Sequence, residues 1–284
     1  HARMLVQLGR VAAHWLLAGC LIASPPALHT RALATSPAET MACVARDCRA
    51  ELAACVSSPM CAQGLACAGS KATDPAGQVR CMDLYENDEM RMFADCAMTQ
   101  RGCIAPIAAD AAESASYDRA KAAVSRSPPK GVPSIDRLLQ GTWKVALGLN
   151  PAFDTFDCQV HEFAPPNSGG DVQAVFRYRV RRPDGTWFQR AGGKTLQQPD
   201  QAVPHLLKMR LQPPYLSYED EWLLLGAELD APDPWFAVRY HGANAAWAGY
   251  GGCNVYTRSG KEPPDGPSRE KLRSALSLAG IELG

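Results

Sequence analysis

VQAVFRYRVRR, residues 172–182, is the stretch whose reading decides the fold. Val172, Ala174, Phe176, Tyr178 and Val180 alternate with Arg177, Arg179 and Arg181 along it. A period of two puts the first set on one face of a strand and the arginines on the other. Pro183-Asp184-Gly185 then supplies a turn, and TWFQR continues beyond it. The same pattern recurs outward. HLLKMRLQ (205–212) places Leu207, Met209 and Leu211 on one face, and YLSYEDEWLLLG (215–226), PWFAVRYHG (234–242) and CNVYTRS (253–259) follow, each bounded by Gly, Pro or Asn. Several short strands at near-regular spacing predict an antiparallel barrel or sandwich. A closed up-and-down barrel of about eight strands leaves room for one small ligand.

The strand region occupies 134–260. A tail, 261–284, follows, with a helical stripe of Leu272, Ala275, Leu276 and Ala279 that predicts packing on the barrel. Gly141-Thr142-Trp143 opens the strand region and Arg258 closes it. In the lipocalin pattern a G-x-W on the first strand packs its indole against an arginine from the last, a cation–π contact. Upstream, 109–133 is rich in proline and small polar residues and reads as a linker, and 35–108 reads as a cysteine-rich helical domain. Residues 1–34 carry Arg3, Arg10 and Arg31 and no acid, an apolar centre from Val11 to Ala23, and Ala32-Leu33-Ala34. These are the parts of a transfer signal.

The 284 residues hold 29 basic and 29 acidic side chains; removing 1–34 leaves 26 basic against 29 acidic. That balance does not point to nucleic-acid binding. Of the eleven cysteines, ten follow residue 34, an even number suited to an oxidising compartment. Eight of them, from Cys43 to Cys103, sit where Ala-rich helices cannot build a large core, so disulfides are the expected support. Zinc and redox-dithiol readings are weak: no two of these cysteines have the C-x-x-C spacing, and the block has no histidine.

Phosphate-loop, H-E-x-x-H and G-x-S-x-G motifs are all missing from the sequence. Two segments mix polar groups with aromatics: FDTFDCQVHEF (153–163) and YEDEW (218–222). Strand alternation predicts Asp157, Gln159 and His161 on one face, and Tyr218, Asp220 and Trp222 together on another. A solvated face is the competing reading of these carboxylates. An aspartate flanked by Tyr and Trp in a barrel lumen would instead be desolvated, with its pKa raised from about 3.9 so that it could donate a proton.

The motifs together resemble the violaxanthin de-epoxidase family, lipocalin-barrel enzymes of the xanthophyll cycle. The resemblance runs from Cys43 to Arg258 through RAELAAC, CMDLYEN, GLNPAFDTFDCQVHEF, YEDEW, RYHGANAAWAGYGG and VYTRS. It implies reduction of the epoxide rings of the carotenoid violaxanthin to zeaxanthin by ascorbate, in an acidified chloroplast thylakoid lumen, without metal or nucleotide. By motif, Asp220 is the proton donor and Tyr240 acts with it. Gln159, Tyr218, Trp222 and Tyr256 would position ascorbate and the carotenoid ring. Asp157 and His161 would belong to a pH switch driving dimerisation and membrane attachment. The implied disulfides are Cys43–Cys61, Cys48–Cys55, Cys67–Cys81 and Cys96–Cys103. The family pairs its barrel cysteine with one in a C-terminal extension. That extension is not among these residues, so Cys158–Cys253 is expected.

Ala164 and Ala248 stand where the family carries a second switch histidine and an acid, so a shallower or shifted pH response is expected. Two alternatives stay open: a paralogue isomerising an epoxy-carotenoid to an allenic one (neoxanthin), and a carotenoid-carrying lipocalin with no turnover.

Overall fold

The structure, a computed structural model, describes residues 36–71, 73–197, 205–211 and 218–283. The transfer signal expected over 1–34 lies outside the described residues. Five helices come first: α1 (Pro37–Asp47), α2 (Arg49–Ser57), α3 (Pro59–Ser70), α4 (Pro75–Leu84) and α5 (Asp88–Ala94), the last continued by a wider turn over Asp95–Gln100. Their starts are written locally. Ser36 and Glu39 exchange side-chain and backbone hydrogen bonds in a capping box. The side chains of Asp74 and Asn87 accept from the backbone at the starts of α4 and α5.

Val44, Met90, Phe93 and Ala97 make a small core, and the cysteines fill the rest of it. The bridges are Cys43–Cys103, Cys48–Cys96, Cys55–Cys61 and Cys67–Cys81. Only Cys67–Cys81 agrees with the pairing that the resemblance implied. The expected Cys43–Cys61, Cys48–Cys55 and Cys96–Cys103 are not formed. Helix α1 lies beside the Asp95–Gln100 turn, which brings Cys43 and Cys48 to the far end of the block, with Cα–Cα separations of 5.4 and 5.9 Å from Cys103 and Cys96.

Residues 111–126, expected as linker, form α6 (Ala111–Arg126), followed by the short α7 (Ile135–Leu138). Tyr117, Ala120 and Val124 follow helical spacing and bury one stripe of α6 on the outer face of the barrel. The barrel is closed and antiparallel: β1 (Gly141–Gly148), β2 (Asp157–Phe163), β3 (Val172–Arg181), β4 (Trp187–Gln197), β5 (Leu206–Leu211), β6 (Tyr218–Glu228), β7 (Trp235–Ala243) and β8 (Tyr250–Thr257), each paired with its sequence neighbours, with β8 returning to β1. The eight-stranded barrel after a disulfide-stapled helical block is thus the fold expected. Helix α8 (Pro267–Ser277) buries Leu272, Ala275 and Leu276, and Ala279 just beyond it, on the outside of the barrel.

Trp143 is fully buried in the lumen core with Phe236 and Tyr256, and α7 adds Leu138 and Leu139 to the same cluster. The Arg258 guanidinium lies 3.6 Å from the Trp143 ring centroid and donates to the carbonyls of Gln140 (3.0 Å) and Thr142 (2.6 Å). Gly141 starts the strand at φ +68°, a conformation that L side chains rarely adopt.

β3 keeps the face assignment read from its alternation, with Val172, Ala174, Tyr178 and Val180 buried and the arginines outward. β2 does not. Cys158 sits at φ +53° and the register against β3 shifts between Asp157 and Val160. This bulge turns Asp157 out, opposite Arg179, while Gln159 and His161 face the lumen. Cys158 is exposed on that bulge and Cys253 is buried on the outer side of β8, both as free thiols, so the expected Cys158–Cys253 bridge is absent. β1 lies between β2 and β8. Two strand spacings of about 4.8 Å separate the cysteine backbones more widely than the roughly 7 Å a disulfide spans.

Candidate active site

The lumen holds a cavity of about 350 Å³. Its floor and walls come from the barrel. Asp83 and Glu86 of α4 and the loop after it line its mouth together with Arg190 of β4. Arg190 donates to Asp83 Oδ1 at 2.8 Å and also pairs with Glu86. The helical block therefore contributes side chains to the cavity as well as disulfides.

Asp220 is carried into the lumen by the alternation of β6, which also turns Trp222 inward. Its cross-strand partner is Gly242; a Cβ there would sit 1.9 Å from Asp220 Oδ1, so the carboxylate rests in a space that only glycine leaves. The Tyr250 hydroxyl donates to Asp220 Oδ1 at 2.6 Å. Burial pushes the Asp220 carboxyl up to about 6, against the opposing pull of the Tyr250 hydrogen bond and the Lys194 charge.

A second buried acid stands nearby. Asp154 ends the turn Asn150–Asp154, where its Oδ2 accepts from the Asn150 backbone N–H at 2.8 Å. Its Oδ1 accepts from the Tyr240 hydroxyl, also at 2.8 Å. Burial pushes it up to about 7, despite those hydrogen bonds. Tyr240 itself fits because residue 252 is glycine: a Cβ there would meet the Tyr240 oxygen at 2.3 Å. Of the predicted catalytic pair, Asp220 and Tyr240 share the cavity, but each is hydrogen-bonded to another residue.

Gln159, Tyr218 and Trp222 line the same cavity. Tyr256 is fully buried beneath it, its hydroxyl 3.1 Å from Nδ1 of His161. His161 is 1% exposed, stacked near Trp222 at 6.3 Å between centroids, and burial holds its pKa well below the ordinary histidine value. Asp157 is outside the cavity, for the reason given by the bulge. Phe153, Tyr218 and Tyr250 form an aromatic wall, with Phe153 4.8 Å from Tyr250 and 6.2 Å from Tyr218. Apolar walls with a few converging polar groups suit a small organic ligand, and two desolvated acids can deliver protons to it.

Residues 40–284 match the family model described as the VDE lipocalin domain. The chain is 35% identical over 237 residues to the protein named violaxanthin de-epoxidase, chloroplastic, of Spinacia oleracea, covering 82% of this chain and 47% of that one. It is 34% identical over 260 residues to the protein of the same name from Nicotiana tabacum, covering 90% and 50%. The chain belongs to the violaxanthin de-epoxidase family. It spans about half the length of the curated relatives of this family that it matches. Among solved structures, lobster apocrustacyanin A1 overlays with a TM-score of 0.33 at 15% identity, over 55% of this chain and 84% of that one.

Three residues of this violaxanthin de-epoxidase family lumen escaped the sequence reading. Tyr250 could have been found, because it shares the β8 face with Tyr256 at a spacing of six. Asp154 lies in a turn, where no periodicity marks burial. Lys194 of β4 also lines the cavity, its Nζ 4.5 Å from the Phe176 centroid and 5.3 Å from that of Trp222. Burial lowers its pKa to about 8, while Asp220 and Asp154 act the other way.

Proposed function

We propose that this chain is an ascorbate-dependent violaxanthin de-epoxidase working in an acidified chloroplast thylakoid lumen on a carotenoid held in membrane lipid. The observation that carries the reading is the carboxyl of Asp220, buried among aromatic rings in a cavity and protonated below about 6. Opening an oxirane leaves an oxygen that must not become a bare alkoxide, so a neutral acid at that oxygen lowers the barrier. Asp220 supplies that proton as the C–O bond breaks. Asp154, protonated below about 7, holds Tyr240 at the same centre and stores a second proton. Overall the epoxide takes up two electrons and two protons to give an alkene and water. The ascorbate monoanion supplies the two electrons and one of the protons and leaves as dehydroascorbate; Asp220 supplies the other proton and regains it from the acidic medium. The aromatic wall of Phe153, Tyr218 and Tyr250 suits the apolar end ring of a carotenoid.

In this reading acid acts on the cavity first, and attachment to the membrane with dimerisation at low pH would follow from the same protonation. The test is incubation of the oxidised protein with violaxanthin across acidic pH, with and without ascorbate, and resolution of the pigments. Ascorbate-dependent zeaxanthin is the expected product, and Asp220→Asn should abolish it. An unreduced allenic isomer would mark the isomerising paralogue, and unchanged pigment a carrier. Normal turnover by Asp220→Asn would remove the acid from the mechanism.

A further inference from the structure

The cavity contains polar groups that the acid chemistry does not use. Lys194 makes no ion pair or hydrogen bond among the described residues, although it lines a cavity with two aspartates. Nε2 of His161 and Oε1 of Gln159 are buried, line the same cavity, and have no hydrogen-bond partner among the described residues. These three groups lie close together. Lys194 and His161 flank the same two rings: His161 is 5.9 Å from Phe176 and 6.3 Å from Trp222 between centroids, and the Lys194 ammonium lies over both. Gln159 is two residues before His161 on the same face of β2.

Buried polar atoms are normally satisfied, and two unsatisfied ones facing the same space as an unpaired ammonium indicate that something polar fills it. Their chemistry describes the occupant. An ammonium seeks an anion. The Tyr256 hydroxyl lies 3.1 Å from Nδ1 of His161; taken as the donor in that contact, it assigns the ring proton to Nε2 and makes Nε2 a donor toward the cavity. Oε1 of Gln159 accepts from a hydroxyl. Together they fit a small molecule carrying one negative charge, oxygen acceptors and hydroxyl donors, and a flat ring able to lie on Trp222.

We propose that Lys194 Nζ, His161 Nε2 and Gln159 Oε1 form the subsite for the anionic enediol reductant, with Lys194 selecting its charge. This rests on the reading of the chain as a reductant-dependent de-epoxidase, and makes His161 a ligand donor. The surroundings favour an anion at acidic pH. Asp220 and Asp154 face Lys194 from β6 and from the turn after β1, and both are neutral below about 6. His161, from β2, stays neutral because burial lowers its pKa. Tyr178, Tyr240, Tyr250 and Tyr256, from β3, β7 and β8, are held neutral by burial as well. Arg190, four residues earlier on β4, is already engaged by Asp83 and Glu86 at the mouth. Below about 6 the ammonium is therefore unopposed. Above about 7 two carboxylates outweigh it and repel an anion.

The experiment measures ascorbate binding to the whole oxidised chain by anaerobic calorimetry at pH 5, without carotenoid, beside ascorbate-dependent turnover. Lys194→Met should weaken ascorbate binding by roughly 10- to 100-fold, the range of one charge-assisted contact. Lys194→Arg should recover most of it. The 3-O-methyl ether of ascorbate, which has no negative charge, should bind wild type and Lys194→Met alike. In turnover, Lys194→Met should raise KM for ascorbate and leave KM for the carotenoid unchanged. Near-ultraviolet circular dichroism confirms that each variant keeps its packed aromatic core. Unchanged ascorbate affinity in a folded Lys194→Met protein overturns the subsite even if de-epoxidation is observed. Lys194-dependent binding without de-epoxidation keeps the subsite and overturns the function proposed above.

Discussion

Replacing Tyr250 by phenylalanine isolates the hydrogen bond that holds the proton affinity of Asp220 down against the effect of burial. The phenol donates to Oδ1 at 2.6 Å, and its ring is held by Phe153 and Trp247 at 4.8 and 5.6 Å between centroids, so Tyr250→Phe removes the hydrogen bond while the packing remains. A hydrogen bond to an ionised partner contributes about 1.5–3 kcal/mol and one between neutral groups about 0.5–1.5 kcal/mol. The difference, about 1–1.5 kcal/mol, is what Tyr250 adds to the ionised carboxylate over the neutral acid, and about 1.4 kcal/mol corresponds to one pKa unit. Its loss raises the pKa, because the charged form loses more than the neutral one. The Asp220 midpoint should therefore move from about 6 up to roughly 7. Difference infrared spectroscopy follows the protonated-carboxyl band, assigned by its disappearance in Asp220→Asn, and needs no turnover. Where turnover is present, its alkaline limb should move upward by the same amount. A midpoint that stays in place or falls would refute control of Asp220 by Tyr250.

Four other outcomes follow from the same structure. The folded Asp220 carboxyl keeps its proton up to about 6, while the unfolded one loses it near 3.9, so the native state binds more protons across that window and wild-type stability falls as pH rises through it. Asp220→Asn lacks this slope. Urea unfolding at pH 4 and pH 8 should show the difference between variant and wild type moving toward the variant by roughly 2–3 kcal/mol, whereas an equal difference at both pH values would mean the charge is not desolvated. Non-reducing peptide mapping should recover Cys43–Cys103 and Cys48–Cys96, with native alkylation at Cys158 and modification of buried Cys253, its thiol pushed up to about 12, only after unfolding. Replacing Cys48 and Cys96 together by serine should cost about 2–3 kcal/mol, less than an isolated loop of that length would, because Cys43–Cys103 already closes the surrounding chain. Gly252→Ala puts a methyl 2.3 Å from the Tyr240 oxygen, so Tyr240 must leave Asp154; a destabilisation of about 1–3 kcal/mol is expected, and an unshifted denaturation midpoint would contradict the close approach.

The barrel was legible where luminal side chains are apolar. On β3 the period of two carries straight into burial, because each inward position is Val, Ala, Phe or Tyr and each outward one mostly Arg or Gln. The same rule fails on β2, since alternation assumes an unbroken register and the bulge at Cys158 inserts one residue. Asp157 and Asp154 then exchange the roles that the pattern suggests: the one on the strand is exposed, and the one in the turn is buried. Cysteine spacing showed that the helical block is stapled without showing how. Connectivity depends on which helices lie side by side, and spacing holds no information about that. Residues 111–126 read as linker because small side chains have weak polarity contrast, yet the small Ala120 lets α6 lie close against β7 and β8.

Asp154, Asp220 and Lys194 are three charged residues that the general preference for polar surfaces would place in solvent. The fold instead puts all of them in one cavity, with glycine at 242 leaving space for Asp220 and glycine at 148 for Asp154. Each costs desolvation energy that an apolar residue of similar size would not. Such departures from local consistency are expected where a site needs them. Here the cost has a direction in pH. Acidification neutralises both aspartates and leaves the lysine charged. One change in proton concentration thus arms the acids and, by the inference above, turns the lumen from anion-repelling to anion-attracting. On the function proposed above, such a cavity couples proton donation to capture of the reductant through electrostatics.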